Sequence, residues 1–571
     1  MKQACTHCSA EFEITKDDLA FYEKVSPEFG GKKYLIPPPT LCPECRMQRR
    51  LIWRNERKLY HRKCDLTGKQ IISLYSADKL HKVYNHADWY SDKWDALRYG
   101  REIDFSQPFF EQFKELMLEV PMLSINLQAG NENCEFTNLT TRNRNCYLIF
   151  AANDNEDCYY CTYLHRSRNS LDCFFIFDCE SCYECVDCYS CNRLFHSQYG
   201  QNCSDSLLLY DCRNCSHCFG CVSLVSQQYS LFNEPCSPED FQRAVSQALS
   251  DPHAFADAKA RFETLKLSLP HRHMAGISNE DVSGDHISFS KHVHYSYDIT
   301  YCEDCKFCTW LHRAKECYDC YAWGIPGELG YENHLCGNTF YNVRFSESCW
   351  NNVSDLLYCR YCVNGCKHLF GCIGLQKREY CILNKQYSKE EYEKLVPQII
   401  EHMRKTPLRL PDGSFAGQEW GEFPPATVSP FAYNETIAQE YFPLTKDEVL
   451  KRGWQWREEG AEEKNYLGPV VDVPESILGV TDDITKQILA CAATGKPYKI
   501  IPQELKFYRE MGLPIPRRCP EQRHKERMAL RNPRKLWTRA CAKCSKKIET
   551  TYAPEKPEIV YCEECYLKTM Y

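Results

Sequence analysis

Eight cysteines in this chain stand at spacings that suit a metal ion. Cys5–Cys8 and Cys42–Cys45 form two CxxC pairs near one end, and Cys541–Cys544 and Cys562–Cys565 repeat the arrangement near the other. A CxxC turn presents two thiolates from one tight loop, and two such turns complete a tetrahedron around Zn2+. The two sets therefore predict two structural zinc sites. The densest cysteine stretch lies elsewhere, between Cys173 and Cys221. There cysteine recurs every third residue at Cys179, Cys182, Cys185, Cys188 and Cys191, and again at Cys212, Cys215, Cys218 and Cys221. A spacing of three held over five residues does not aim all five thiols at one ion. In an extended coil such residues turn around the axis, so only some are expected to face inward. Three readings remain: reduced thiols stacked in a core, further metal held between coils, or an iron–sulfur centre. The first is preferred, because no proline follows the CxxCxxC runs in the ferredoxin manner. No GxSxG, GxxxxGK[ST], strand-linked GxGxxG or HExxH pattern marks a familiar catalytic site, and no catalytic residue is assigned.

The elements that position the outer cysteines are duplicated. Residues 42–90 align without a gap to 519–567, with 18 identities in 49 positions. CPECRMQRRLIWRNERKLYHRKC faces CPEQRHKERMALRNPRKLWTRAC, and further back LAFY (19–22) faces LKFY (505–508). Each end of the chain thus carries a two-ribbon module, and the ligand sets are complementary. In the N-terminal copy the first ribbon is complete, while the second keeps Cys64 beside Thr67, Asn85 and Asp88. In the C-terminal copy the first ribbon keeps Cys491 and Cys519 beside Thr494 and Gln522, while the second is complete. Thr and Gln are poor zinc ligands, so two metal-free ribbons are expected beside the two intact ones.

The N-terminal stretch, with CTHC, the EFEIT and AFYEK segments and CPECRMQRR, resembles the "probable zinc-ribbon domain" family over about the first fifty residues. That resemblance implies zinc binding and no reaction. The whole chain is similar to a family of uncharacterised cysteine-rich bacterial proteins ending in a YCEECY-type ribbon, which implies no activity either.

Between the ribbons of each copy a helix is expected. Arg46, Arg50, Arg54, Arg57 and Lys58 in one copy face Arg523, Arg527, Arg531, Arg534 and Lys535 in the other. At 3.6 residues per turn these positions form one stripe. Two partners suit it: the phosphates of a nucleic acid, or acidic groups of this chain or of another protein. Charge is distributed accordingly. Residues 42–69 carry a balance of +6 and residues 517–547 one of +10, so the other 512 residues sum to −23 within a net charge of −7.

The middle is doubled as well. CSHCFGCVSLVSQQYSLFNEPCSPEDF (215–241) matches CKHLFGCIGLQKREYCILNKQYSKEEY (366–392), and LHR recurs at 164–166 and 311–313. Each half enters a helix through Ser237 with Asp240, or Ser388 with Glu391. Polar-Cys steps of 12 to 15 residues from Cys134 to Cys203, with short strand-like pieces between, suggest coils of a parallel β-solenoid. The fold class expected is mainly β with α connectors: a duplicated cysteine-rich solenoid-like centre flanked by two homologous zinc-ribbon modules. The segments are an N-terminal module at 1–90, a connector at 91–130, solenoid halves at 131–236 and 288–387 around a helical insert and linker at 237–287, a bridge at 388–490, and a C-terminal module at 491–571.

No run of 18 apolar residues exists and MKQACTHC has no apolar core, so neither a membrane span nor export is expected. A cytoplasmic location then keeps the thiols reduced. The leading function is a non-enzymatic zinc-binding scaffold or binding protein, with nucleic acid or a protein as partner. The alternative is a metal- or thiol-dependent redox enzyme, iron–sulfur or cysteine-based.

Overall fold

The middle of the chain is written in triplets. From Asn133 to Phe232 every third residue has a left-handed backbone, and the non-glycine ones have φ between 43° and 61°. L-residues resist this conformation and Asn and Asp tolerate it best, which accounts for Asn145, Asp157, Asn169, Asp178, Asp187 and Asn202 at these positions. Each left-handed residue turns the chain through a corner. The residue after it faces inward and the next one joins a ladder of parallel pairs. Four triplets close one turn, so successive turns stack at an offset of 12: Asn138, Phe150, Thr162, Phe174 and Val186 lie in register on one side. Asn192, Ser204, Ser216 and Gln228 do so on another.

The structure is a computed structural model that describes residues 1–321, 325–335, 337–410, 413, 419–458, 460 and 466–570. A second stack follows the first and forms an 11-stranded sheet, parallel except at its last strand. Its offsets are 12 at Lys291↔Glu303 and 13 at Ile325↔Asn338 and Ser354↔Lys367. It begins at Gly276–Ile277 and Glu280–Ser288, inside the segment expected to be a linker. After a first offset of 11 at Gly276↔Ile287, the repeat is thus 12 or 13 residues, where the polar-Cys steps suggested 12 to 15.

The corner in every triplet also overturns the expectation that only some closely spaced cysteines face inward. Cys179, Cys182, Cys185, Cys188 and Cys191 are all buried, as are Cys302, Cys305, Cys308, Cys317 and Cys320. Their thiols bond main-chain groups that the short sides leave pointing into the stack. Cys185 Sγ donates to Tyr183 O at 3.5 Å and Leu194 O at 3.1 Å, and Cys308 Sγ donates to Lys306 O at 3.4 Å and Cys317 O at 3.1 Å. Serine does the complementary work at inward positions: Ser170 Oγ accepts from Cys182 N at 3.2 Å, and Ser197 Oγ from Leu209 N at 2.9 Å. Small side chains with a weak donor or acceptor fill the interior because an orphaned buried peptide group is costly.

Each stack ends the same way. The last parallel strand folds back on an antiparallel partner, Gln228–Leu231 on Glu234–Pro235 and Glu379–Ile382 on Lys385–Gln386. A helix follows, Pro238–Ser250 or Lys389–Lys405. The capping box is complete at Ser388–Glu391. At Ser237 the side chain accepts from Asp240 N.

Helices are numerous enough that the chain is mixed α/β rather than mainly β. Beside the two just named, Pro252–Ser268 pairs with the first, and Phe109–Glu119 packs Phe109, Phe110 and Phe113 into an aromatic core with Tyr358 and Phe370 of the second stack. No described helix is long and apolar enough to cross a membrane.

Candidate metal centres and the buried arginines

Each ribbon starts from the same turn. Cys5 N donates to Ala10 O and Ser9 N to Cys5 O. The same two bonds recur from Cys64 to Lys69 and Gly68, from Cys491 to Lys496 and Gly495, and from Cys541 to Lys546 and Ser545. The fifth residue of each turn is left-handed: Ser9, Gly68, Gly495 and Ser545. The second pair of ligand positions sits at a helix start. Cys42, Asn85 and Cys519 are N-cap residues, and Cys562 precedes the helix Glu563–Met570. Four ribbons thus share one backbone design whether or not their ligands survive.

In two of them the four sulfurs converge. The ligand atoms of Cys5, Cys8, Cys42 and Cys45 all lie within 4.8 Å of one another, as do those of Cys541, Cys544, Cys562 and Cys565. Cys8 Sγ is 3.7 Å from Cys42 Sγ, and Cys544 Sγ is 3.7 Å from Cys562 Sγ. A zinc–sulfur bond of about 2.3 Å in a tetrahedron sets neighbouring sulfurs about 3.8 Å apart. Both groups can therefore hold a metal ion. A bond with the Cys45 thiol holds Cys42 down to about 5, and at Cys541 main-chain donors, Cys562 N first, outweigh burial and hold the thiol down to about 6. Each effect favours one thiolate of its group, while the same bond pushes its partner Cys45 up and burial pushes Cys565 up to about 12.

In the other two ribbons the equivalent positions bond one another. Asn85 N donates to Cys64 Sγ at 3.4 Å, Asn85 Nδ2 bonds Asp88, and Asp88 pairs with Lys93 at 2.5 Å. Thr494 Oγ1 and Cys519 Sγ lie 4.0 Å apart. Among the described residues only the two four-cysteine groups gather three or more potential ligand atoms this closely. The central thiols do not. They donate to carbonyl oxygens instead; burial pushes Cys366 and Cys381 up to about 12, whereas a bond with the Cys179 thiol holds Cys182 down to about 6.

The expected basic stripe is not a solvent-facing helical face. The helices are short, Pro43–Leu51 and Pro520–Ala529, so Arg54, Arg57 and Lys58, like Arg531, Arg534 and Lys535, lie in the turns beyond them. Arg46, Arg50, Arg54 and Arg527 are at most 2% exposed. These four guanidiniums face carboxylates of the same chain rather than solvent. Arg46 Nε meets Asp319 Oδ1 at 2.9 Å, and Arg50 Nη1 shares that oxygen at 3.1 Å and reaches Glu332 at 3.7 Å. In the other copy Arg523 Nη1 meets Asp172 at 2.6 Å, and Arg527 Nη1 meets Asp172 at 2.9 Å and Glu184 at 3.2 Å. Arg46 lies over the Phe307 ring at 4.8 Å and Arg523 over the Tyr160 ring at 4.8 Å.

These contacts are crossed and matched. The N-terminal helix docks on the second stack and the C-terminal helix on the first, each through the corresponding arginines, carboxylates and ring. The turns exchange reciprocal ion pairs as well: Lys58 with Glu521, and Lys535 with Glu44 at 3.9 Å. Glu44 and Glu521 are equivalent in the duplication, as are Lys58 and Lys535, so the pairing is isologous, as across a twofold axis. The remaining members of the stripe are likewise paired. Arg54 meets Glu56 at 3.0 Å, Arg57 meets Glu440 at 3.5 Å, Arg531 meets Asp187 at 3.0 Å and Asp298 at 2.5 Å, and Arg534 meets Asp298 at 3.0 Å.

The sequence readily exposed the cysteine ligands. It did not expose Asp172, Asp319, Glu184 and Glu332 as partners of the arginines. Their one signal was the duplication, which sets Asp172 opposite Asp319 at the same distance after the repeated Leu-His-Arg. Compared with protein-family models and with curated proteins, this chain matches none.

Proposed function

We propose that this chain is a non-enzymatic scaffold in which two structural Zn2+ ions pin the end modules onto a pair of β-solenoid halves. Zinc at Cys5, Cys8, Cys42 and Cys45 fixes the start of one arginine-bearing helix. Zinc at Cys541, Cys544, Cys562 and Cys565 fixes the ribbon that follows the other. The observation that carries the reading is the pair of four-sulfur groups with 3.7 Å edges. The buried arginine lattice supports the structural half of it, since those cations serve the fold and not an external phosphate. The inward thiols, each held by carbonyl oxygens, suit a reducing, cytoplasmic setting and a core role rather than redox turnover.

Elemental analysis of the purified chain tests this reading. Two zinc ions per chain and a colourless solution are expected, falling to one in the Cys541→Ser/Cys565→Ser double variant. Iron in place of zinc, with visible charge-transfer absorption, would replace the scaffold by an iron–sulfur protein.

A further inference from the structure

At the seam between the two stacks lies a cavity of about 290 Å³ whose walls combine rings, a carboxylate and guanidiniums. Tyr189, Tyr199, His286 and Phe289 supply the rings. Tyr199 and His286 have centroids 5.5 Å apart, while Tyr189 stacks on Phe177 at 5.3 Å and Phe289 on Tyr301 at 5.0 Å. Tyr189 and Phe289 are nevertheless 41% and 42% exposed, so each ring is held in place with part of its surface open.

Asp187 lines the same cavity and is 1% exposed. Its Oδ2 accepts from Arg531 Nε at 3.0 Å. Its Oδ1 accepts no hydrogen bond from the described residues and lies 3.6 Å from His286 Nδ1. A buried carboxylate oxygen without a donor is costly and points to a donor from outside. Arg213 and Arg272 also line the cavity, both drawn toward Asp211, with Arg272 Nε donating to it at 2.8 Å.

The duplication provides an internal comparison. The equivalent seam, where the first stack's start faces the second stack's middle, holds a cavity of about 270 Å³. Counting corners along both stacks, Leu139 there replaces His286, Arg142 replaces Phe289 and Leu335 replaces Asp187, and at a ladder position Trp350 replaces Gln201. The fold therefore does not need a carboxylate at this place. Nor does the arginine that Asp187 holds require it, because Arg54, the counterpart of Arg531, takes Glu56 instead.

We propose that the Asp187 cavity binds a purine nucleoside monophosphate. A planar base stacks on the exposed faces of Tyr189 and Phe289, an N–H on its edge donates to Asp187 Oδ1, and the phosphate meets Arg213 and Arg272. The volume sits at the lower end of ligand sites, about 300 Å³, and suits one nucleotide.

Isothermal titration of the full zinc-loaded chain with AMP and GMP, and with adenosine, guanosine and inorganic phosphate alone, tests the proposal. At least one monophosphate binds, its nucleoside binds more weakly, and phosphate alone does not register. Tyr189→Ala and Phe289→Ala, at half-open rings that leave the fold intact, each weaken binding about tenfold or more. Leu335→Ala in the paired cavity leaves it unchanged. Absence of AMP and GMP binding at millimolar concentration overturns the proposal, and so does binding that both ring variants leave intact. Neither result affects the zinc count, so the scaffold reading stands or falls separately.

Discussion

Replacing Asp319 by Asn removes the charge that two buried arginines share. Arg46 and Arg50 both rest on Asp319 Oδ1, and all three side chains are at most 1% exposed. Arg50 keeps only the longer contact to Glu332 at 3.7 Å, and Arg46 keeps Leu41 O at 2.8 Å. Removing one partner of a buried pair costs about 3–5 kcal/mol, because the remaining charge stays desolvated. Unfolding entropy of about 2.1 cal/mol/K per residue over this chain corresponds to ~1.2 kcal/mol/K, so the midpoint drops by about 3–4 °C if the chain melts as one unit. If the halves melt separately, the transition containing Asp319 moves about twice as far while the other stays still. Calorimetry distinguishes the two patterns, and urea titration supplies the free energy. Asp172→Asn, its counterpart under Arg523 and Arg527, produces a loss of the same size. Arg46→Met combined with Asp319→Asn costs clearly less than the two single changes added, as expected for groups in contact. A loss below about 1 kcal/mol for Asp319→Asn, the scale of an exposed pair, would refute the claim that these arginines are locked inside.

Four further outcomes follow from the same geometry. Burial holds His524 down to about 4, and its counterpart in the other module is Met47. An unfolded histidine takes its proton near pH 6.5, so this contribution is complete above that pH and is lost as pH falls toward 4. His524→Met flattens the slope of stability against pH in that window, measured by urea titration at several pH values, and an unchanged slope contradicts it. The Lys58 ammonium holds Glu521 down to about 2, a stabilisation present above about pH 4.3 and lost as pH falls through 2. Glu521→Gln removes that acid-side component, read by the same titrations below pH 4.3, and high salt weakens it too, because the pair is partly exposed. Cys185→Ser, a residue type the stacks already use at inward positions, costs about 1 kcal/mol by denaturant titration, while Cys185→Asp places an unpaired charge in the interior and prevents folding. Alkylation of the metal-free native chain followed by mass spectrometry labels the exposed Cys8 and Cys544 first and the half-buried Cys134 and Cys236 next, whereas buried thiols react only after denaturation.

The ribbons were legible in the sequence because metal chemistry fixes both residue type and spacing. Cys64 and Asn85 show how far that reaches: the turn and the N-cap persist after the ligands have gone, since the backbone bonds that shape them use no thiol. Duplication was legible too, and the charges it matches, Lys58 with Glu521 and Lys535 with Glu44, are where the two modules meet. The triplet corner was not. A left-handed residue every third position contradicts the usual preference of Phe175, Tyr163 or Leu208 for extended backbone, and only the stacked ladder forces it on them. For the same reason the spacing of three read as an extended coil with some cysteines outward, when it marks one inward thiol per side. The arginine stripe was misjudged in position, and of the partners that suited it the structure shows acidic groups of this chain. Helical periodicity was extended through Lys58 and Lys535, although the helices stop at Leu51 and Ala529 and the later cations reach their carboxylates from turns.

A stack of parallel coils has no natural length. Each finished turn offers the next strand a full row of unpaired peptide groups, the same template that lets chains join end to end into fibrils. Here the last strand of each half is covered by its own returning segment, Glu234–Pro235 in one and Lys385–Gln386 in the other, with a proline at the first. Those few residues close the ladder before another molecule can extend it. The last strand of each half thus finds its partner within the chain, which sets the number of turns at that edge.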